Sequence, residues 1–382
     1  MDLLPEDAIH EILLRVPAKP LCRLRAVCRP WRPLTTSSSF IAAHTARHGP
    51  LVAAIKWIPY FDASRRSQLH LLDTSGHVVW QMRLDKNYHH LEQNGEVSLT
   101  SLDVLCLVVG AGEDKRLCVL DPACSTGPMS LLPPYCCHHD TDYNYPVYTP
   151  FAVGRASSTG ETKVLGFTMA DSVEIQGCKV ITLAGAGRSE WRDTGRPPGS
   201  VQTLMPGMPR CVALVKGVLY FLSYGFEEHR ITGIGAYDVG EEKWRPDLLH
   251  LPATAVPGQE MGLVELSGSL VVFYYKHKKD SGAGKESGFS MDLWFLTDCN
   301  KAIWSKQCTV SSYDSTGGQP LWMLDDGRIV LSMWKYGWDT PVESSLRVYD
   351  PRTNTFTSGV EMPDYHIIGV YNGSLLKSCV DQ

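Results

Sequence analysis

Cys136-Cys137-His138-His139-Asp140 is the densest run of metal-ligating side chains in the sequence. Zinc draws its ligands from spaced pairs that converge on one point. Neighbours in an extended run point to opposite faces, so one run cannot close a tetrahedron, and the stretch reads as a loop without a metal. Ser281-Gly282-Ala283-Gly284-Lys285 hints at a phosphate loop. That chemistry needs a glycine five residues before the second glycine and Ser or Thr after the lysine. Those positions hold Lys279 and Glu286, so a flexible connection between strands is the better reading. Paired acids can serve glycoside hydrolysis. Here most candidate aspartates recur in a repeated turn, where they have a structural task. No catalytic residue, metal ligand or cofactor is assigned. Tyr143, Tyr145 and Tyr148 in one loop, and Trp334 and Trp338 near Tyr336 in another, have the residue types of recognition surfaces. The same residues serve equally as packing between sheets.

The elements that organise the chain begin at its start. Ile9, Ile12, Leu13 and Val16 fall at i, i+3, i+4 and i+7, one face of a helix. Pro5 suits the helix start because no donor is needed there, and Pro17 cannot continue it. Glu6 and Asp7 in the first turn and Arg15 in the last follow the order the helix dipole favours. A second helix is predicted from Pro20, with Leu21, Leu24, Val27, Cys28 and Trp31 as its stripe. Pro30 and Pro33 predict a kink or a short third helix. Ser39 is a candidate cap for a last short turn carrying Phe40, Ile41 and Ala43. Two or three short helices in about 40 residues cannot bury a core of their own. Such a module docks on something, either the rest of the chain or another protein.

From Leu4 to about His44 the pattern L-P-E-D-x(3)-E-I-L-x-R-V-P-x(3)-L-x-R-x-R-x-V-C-R-x-W-R-x-L closely resembles the F-box, which binds the Skp-type adaptor of cullin–RING ubiquitin ligases. The resemblance implies an adaptor-contacting set: Leu4, Pro5, Ile9, Ile12, Leu13, Val16, Pro17, Leu21, Leu24, Val27, Cys28 and Trp31. Ala8, where a leucine is usual, and the extra prolines 20, 30 and 33 are departures from the family pattern.

Charge divides unevenly. The first 49 residues carry a net +3 and the remainder −8, within −5 overall. A basic module suits an acidic partner through steering, and adaptors of this family are acidic. An acidic remainder opposes nonspecific nucleic-acid binding, which needs many phosphate-neutralising cations. No run reaches the length of a membrane span, and no export signal is read at the start. With 12 scattered cysteines, reduced thiols in the cytoplasm or nucleus are expected.

From Leu51 onward short β-branched and aromatic runs alternate with turn residues. A unit recurs: an apolar strand ending in a turn residue, a tight loop, then an aromatic. Asp73 precedes Trp80, Asp238 precedes Trp244, Asp298 precedes Trp304, and Asp350 precedes Phe356. Weaker copies surround Gly185–Trp191 and Asp121–Met129. Spacings of roughly 50–60 residues mean a propeller or similar array. Strand pairs at 211–224, 262–275 and 321–334 supply the other half of each blade. Residues 366–376 repeat only the first half of the unit and 51–84 only the second, so a ring closed by joining them is expected. The segments 151–167 and 120–133 look like those of plant F-box-associated, kelch-like β-propellers.

The expected architecture is therefore α+β and multidomain: an all-α F-box of two or three short helices over 1–48, then an all-β propeller of about six blades over 49–382. The resemblance implies the substrate-recognition subunit of a Skp–cullin–F-box ligase, without catalysis of its own. Its partners would be the Skp-type adaptor, a cullin–RING ligase reached through it, and an unidentified target protein, with neither nucleic acid nor membrane. A propeller interaction protein outside a ligase, or a propeller enzyme, are the alternatives.

Overall fold

The computed structural model describes residues 5–56, 68–83, 103–109, 116–122, 129–131, 151–170, 174–183, 190–201, 211–225, 230–253, 260–279, 286–335, 343–363 and 365–376. Leu4, the Cys136–Asp140 cluster, Tyr143, Tyr145, Tyr148, the loop 281–285, Tyr336 and Trp338 lie outside these residues.

Four helices open the chain, against the two or three expected: α1 (Glu6–Leu14), α2 (Ala18–Val27), α3 (Trp31–Thr36) and α4 (Ser38–His48). Prolines set their starts. Pro5, Pro17 and Pro30 are the N-cap residues of α1, α2 and α3. Pro20 and Pro33 each occupy the third position of a helix, where the backbone N–H has no partner to lose. The second helix thus starts two residues before Pro20, and the prolines that depart from the family pattern cost these helices no hydrogen bond. Ser37, not Ser39, caps α4, its hydroxyl accepting from the Phe40 N–H at 3.2 Å.

An all-β array follows. Its complete four-stranded blades are β7 (Phe151–Arg155), β8 (Thr162–Ala170), β9 (Glu174–Thr182) and β10 (Arg192–Asp193); β11 (Val212–Val215), β12 (Val218–Gly225), β13 (Arg230–Asp238) and β14 (Lys243–Trp244); β15 (Met261–Leu266), β16 (Ser269–Lys279), β17 (Glu286–Asp298) and β18 (Ile303–Ser312); and β19 (Gly317–Met323), β20 (Ile329–Lys335), β21 (Glu343–Asp350) and β22 (Thr355–Pro363). The fifth joins both ends of the array. In it β23 (Tyr365–Tyr371) lies beside β1 (Leu51–Lys56), followed by β2 (Gln68–Leu72) and β3 (Val78–Arg83). A further sheet of β4 (Leu105–Val109), β5 (Arg116–Leu120) and β6 (Met129–Leu131) has three strands among the described residues. Among the described residues five blades are thus complete and a sixth sheet shows three strands; the repeat predicted about six blades.

The turn chemistry read from the repeat is present atom by atom. Asp238 Oδ1 accepts from the N–H groups of Gly240 and Glu241, both at 2.9 Å. Asp73 does the same for Ser75 and His77, and Asp298 for Asn300 and Lys301. Asp350 accepts from the Arg352 N–H at 2.9 Å. The returning aromatics then pack across blades. Trp244 lies 5.3 Å from Phe221 in its own blade and 6.2 Å from Phe167 in the neighbouring one. The indole of Trp304 donates to the His250 carbonyl at 2.8 Å.

The tight turns share one rim. The Ser157 hydroxyl, in the turn after β7, donates to the Lys216 carbonyl in the turn after β11, and the Val239 N–H donates to the Gly217 carbonyl. Leu51 pairs with Tyr371 and Lys56 with Tyr365, while Val52 pairs with Leu72 beside the Asp73 turn. The helices, which end just before Leu51, therefore join the ring at the turn rim. Connections such as the one after Ser312 lie at the opposite rim.

Lys216 and Gly217 both hold left-handed φ angles, 48° and 80°, as a two-residue hairpin turn requires. A Cβ on Gly217 would also lie 2.9 Å from the Ser157 backbone nitrogen. Gly217→Ala is expected to lower stability by about 1–3 kcal/mol, read as a lower midpoint in chemical denaturation. An unchanged midpoint would mean that this contact between turns carries no strain.

Candidate functional site

The helices divide their apolar stripe between two uses. Leu13, Leu14, Leu21 and Phe40 are sealed in a core that also holds Leu376 from beyond the last strand. Ile9, Val16, Leu24, Trp31, Leu34 and Ile41 pack half-buried around it. Ile12, one position from Leu13, is 52% exposed, and Val27 at the end of α2 is 79% exposed. Pro5 and Pro17 are exposed, and Cys28 is half-buried. Thus Leu13 and Leu21, which the family resemblance includes in the contacting set, are buried in the module's own interior. Pro5, Ile12, Pro17 and Val27 remain at the surface, with Ile9, Val16, Leu24, Cys28 and Trp31 at its edge.

Polar contacts fix how the helices stand. Arg25 on α2 donates through Nε to the Thr35 hydroxyl at 3.1 Å, and through Nη2 to the Thr35 carbonyl. Its Nη1 reaches the Leu376 carbonyl at 2.6 Å. Thr35 is fully buried and donates onward to the Trp31 carbonyl at 2.7 Å. The end of α1 leaves carbonyls without helical partners. Two histidines of α4 meet chain carbonyls there: His48 Nε2 donates to Leu14 at 3.0 Å and His44 Nε2 to Val16 at 2.8 Å. The two imidazoles are 4.1 Å apart between centroids. Burial pushes the His44 pKa down, aided by His48 and Arg25 and opposed by the Val16 carbonyl.

Around this face Arg15, Lys19, Arg23, Arg29 and Arg32 are exposed. Glu6, Asp7 and Glu11 of α1 are exposed as well, so the module's surface carries both signs with basic residues in excess. Fully desolvating side chains the size of Ile12 or Val27 contributes roughly 1.5–3 kcal/mol each, and the charges add steering toward an acidic partner.

The propeller's carboxylates are engaged otherwise. Burial works to raise the Asp292 pKa, but hydrogen bonds from Lys306, Thr309 and Lys276 outweigh it and hold the group at about 2. Asp350 is held at about 2 by Arg352. Glu242 bridges Lys163 at 2.8 Å and Arg192 at 2.6 Å, tying neighbouring blades. Among the described residues no cluster of three or more His, Cys, Asp or Glu could hold a metal ion. No described helix is long and apolar enough to cross a membrane.

Of the aromatic residues proposed for recognition, Trp334 is described. It lies near the end of β20, partly exposed, over Gly317, where an added Cβ would come within 2.5 Å of its indole nitrogen. Tyr313, after β18, is 76% exposed at the same rim and went unnoticed in the sequence. A single aromatic between Ser312 and Asp314 carries no pattern that would mark it. Leu376 was missed as well, because a contact 363 positions from Leu13 leaves no local trace.

The family described as F-box associated beta propeller domain matches residues 158–366, and the F-box domain matches residues 1–42. An F-box protein of Arabidopsis thaliana is 26% identical over 308 residues, 80% of this chain and 70% of its own. A second from the same plant is 23% identical over 400 residues, 93% of this chain and 87% of its own. A third is 49% identical over 47 residues, 12% of each chain. A solved structure from Lactobacillus plantarum covers 84% of this chain and 98% of its own at a TM-score of 0.43 and 13% identity, too low a likeness to inform function.

His44 generates a pH dependence with a definite sign. Its folded pKa lies below its unfolded value of about 6.5. The unfolded state therefore binds more protons between those two values, and stability falls as pH drops below about 6.5. Burial likewise lowers His70 in the closing sheet, so the readout must be local. Amide exchange in α1 and α4 should quicken from pH 7.5 to 5.5 after correction for intrinsic rates. His44→Gln, which keeps a donor but does not titrate, should flatten that change. An equal acceleration in both proteins would remove His44 as the cause.

Proposed function

The chain belongs to the F-box associated β-propeller family, and from that premise we propose that it is the substrate-recognition subunit of a Skp–cullin–F-box ubiquitin ligase. The observation that carries the reading is that Ile12 and Val27 are exposed on a net-basic helical module whose other described large apolar residues are enclosed or half-enclosed. The Skp-type adaptor covers this face, contacting Pro5, Ile12, Pro17 and Val27, with Ile9, Val16, Leu24, Cys28 and Trp31 at the margin. Leu4 belongs to the same face by the family pattern. Leu13 and Leu21 act from beneath by holding the helices in place. The complex works in the cytoplasm or nucleus.

The propeller holds the target protein. With the helices at the turn rim, the opposite rim is the surface proposed for the target, and Tyr313 and Trp334 are its described aromatic residues. Ubiquitin transfer belongs to other subunits. This chain supplies proximity, converting an encounter between target lysine and loaded enzyme into an intramolecular one.

The test is titration of the full chain with a purified Skp-type adaptor. Ile12→Asp combined with Val27→Asp should weaken binding by at least about 30-fold, near 2 kcal/mol, with the propeller's melting temperature unmoved. Wild-type affinity in that double variant would reject this face as the adaptor site. Recovery of the adaptor from plant cells without any cullin would move the function outside a ligase.

A further inference from the structure

Leu375 and Leu376 are adjacent in sequence and pack on different bodies. Leu375 lies against the ring cluster of Ala53, Leu69, Leu71, Leu105 and Tyr371. Leu376 is fully buried among Leu13, Leu14, Leu21 and Phe40 of the helices. Both carbonyls are received by one face of α2: the Cys22 thiol reaches that of Leu375 at 3.7 Å, and Arg25 Nη1 that of Leu376 at 2.6 Å. The dipeptide is itself shaped by Ser374, a buried residue whose hydroxyl accepts from the Leu376 N–H at 3.2 Å. The segment follows β23, the strand that completes the first blade.

We propose that Leu375–Leu376 is a joint that completes the helical module, so that adaptor binding depends on closure of the propeller. The proposal rests on the adaptor-binding reading above for its consequence, though not for the joint itself. The physical argument is one of core size. Four short helices enclose few large side chains, and Leu376 is one of five residues sealed at their centre. Without it α2 loses a packing partner and the guanidinium of Arg25 loses an acceptor. Val27 and the half-buried Leu24 both ride on α2. Leu376 and Arg25 are therefore positioning residues for the adaptor face, and neither needs to touch the adaptor. A chain whose ring has not closed would present a loosened face and escape assembly into a ligase.

The experiment compares full-length wild type, Leu376→Ala, Leu376→Met and Arg25→Gln by hydrogen exchange, melting of the propeller and affinity for a purified Skp-type adaptor. Leu376→Ala should speed exchange in α1, α2 and α4 by about ten-fold or more. It should weaken adaptor binding by a similar factor while leaving exchange in β11–β22 unchanged. Leu376→Met, which keeps the volume, should restore both. Arg25→Gln keeps the leucine in place and should show the same direction more weakly, which preserves the test if Leu376→Ala fails to fold. Wild-type exchange in the helices of Leu376→Ala would overturn the joint. Faster exchange with unchanged affinity would overturn the dependence of adaptor binding on it. If the wild type binds no adaptor, the functional reading fails, and the exchange data still decide the joint.

Discussion

A chain of some 40 residues folded as short helices has too little interior to hold itself together, and that shortage shapes how this protein is built. Leu13, Leu14, Leu21 and Phe40 share their buried core with Leu376. The helices also need their ends satisfied. His44 and His48 cover carbonyls where α1 ends, and Arg25 ties Thr35 to the segment that carries Leu376. Each of these contacts links one helix to another element. The module is therefore as much a product of its surroundings as of its own helix propensities.

The ring answers a different difficulty. Four-stranded sheets placed side by side expose edges and apolar faces. Here the strand β23 lies beside β1, pairing all six residues of β1 across one register shift between Ala53 and Ala54, so the first blade is completed by the last strand. Between blades the returning aromatics fill the gaps, as Trp244 does against Phe167, and ion pairs such as Lys163–Glu242 reinforce the seams. The repeat in the sequence is the imprint of this packing. An aspartate recurs because a tight turn needs an acceptor for backbone N–H groups, and an aromatic recurs because a wedge-shaped gap must be filled.

Legibility in the sequence follows the range of the interaction. Asp73, Asp238, Asp298 and Asp350 were readable because their partners are two to four residues away. The proline-started helices were readable for the same reason, although the cap moved from Ser39 to Ser37 and α4 is a full helix rather than one turn. The stripe Ile9, Ile12, Leu13 and Val16 was recognised as apolar, but periodicity cannot say which members face inward. Ile12 and Leu13 are neighbours in sequence but about 100° apart around the helix, and their burial differs from 52% exposed to 1%. That division is decided by α4 and by Leu376, both remote in sequence. The face itself was named through its resemblance to a family, and the structure then sorted its members by exposure.

Proximity as a means of catalysis imposes its own geometric demand. Effective concentration falls when the connection between two binding sites is longer or looser than the span it must bridge. In this protein α4 runs into β1 through only Gly49 and Pro50, and the second connection through Leu375–Leu376 returns to the same helices. Two attachments at one rim restrict rotation that a single short linker would allow. The opposite rim is then held at a set distance and direction from the F-box helices. On the proposed function the chain would influence rate through such placement, and the residues that fix the helices to the ring are the ones on which that contribution would depend.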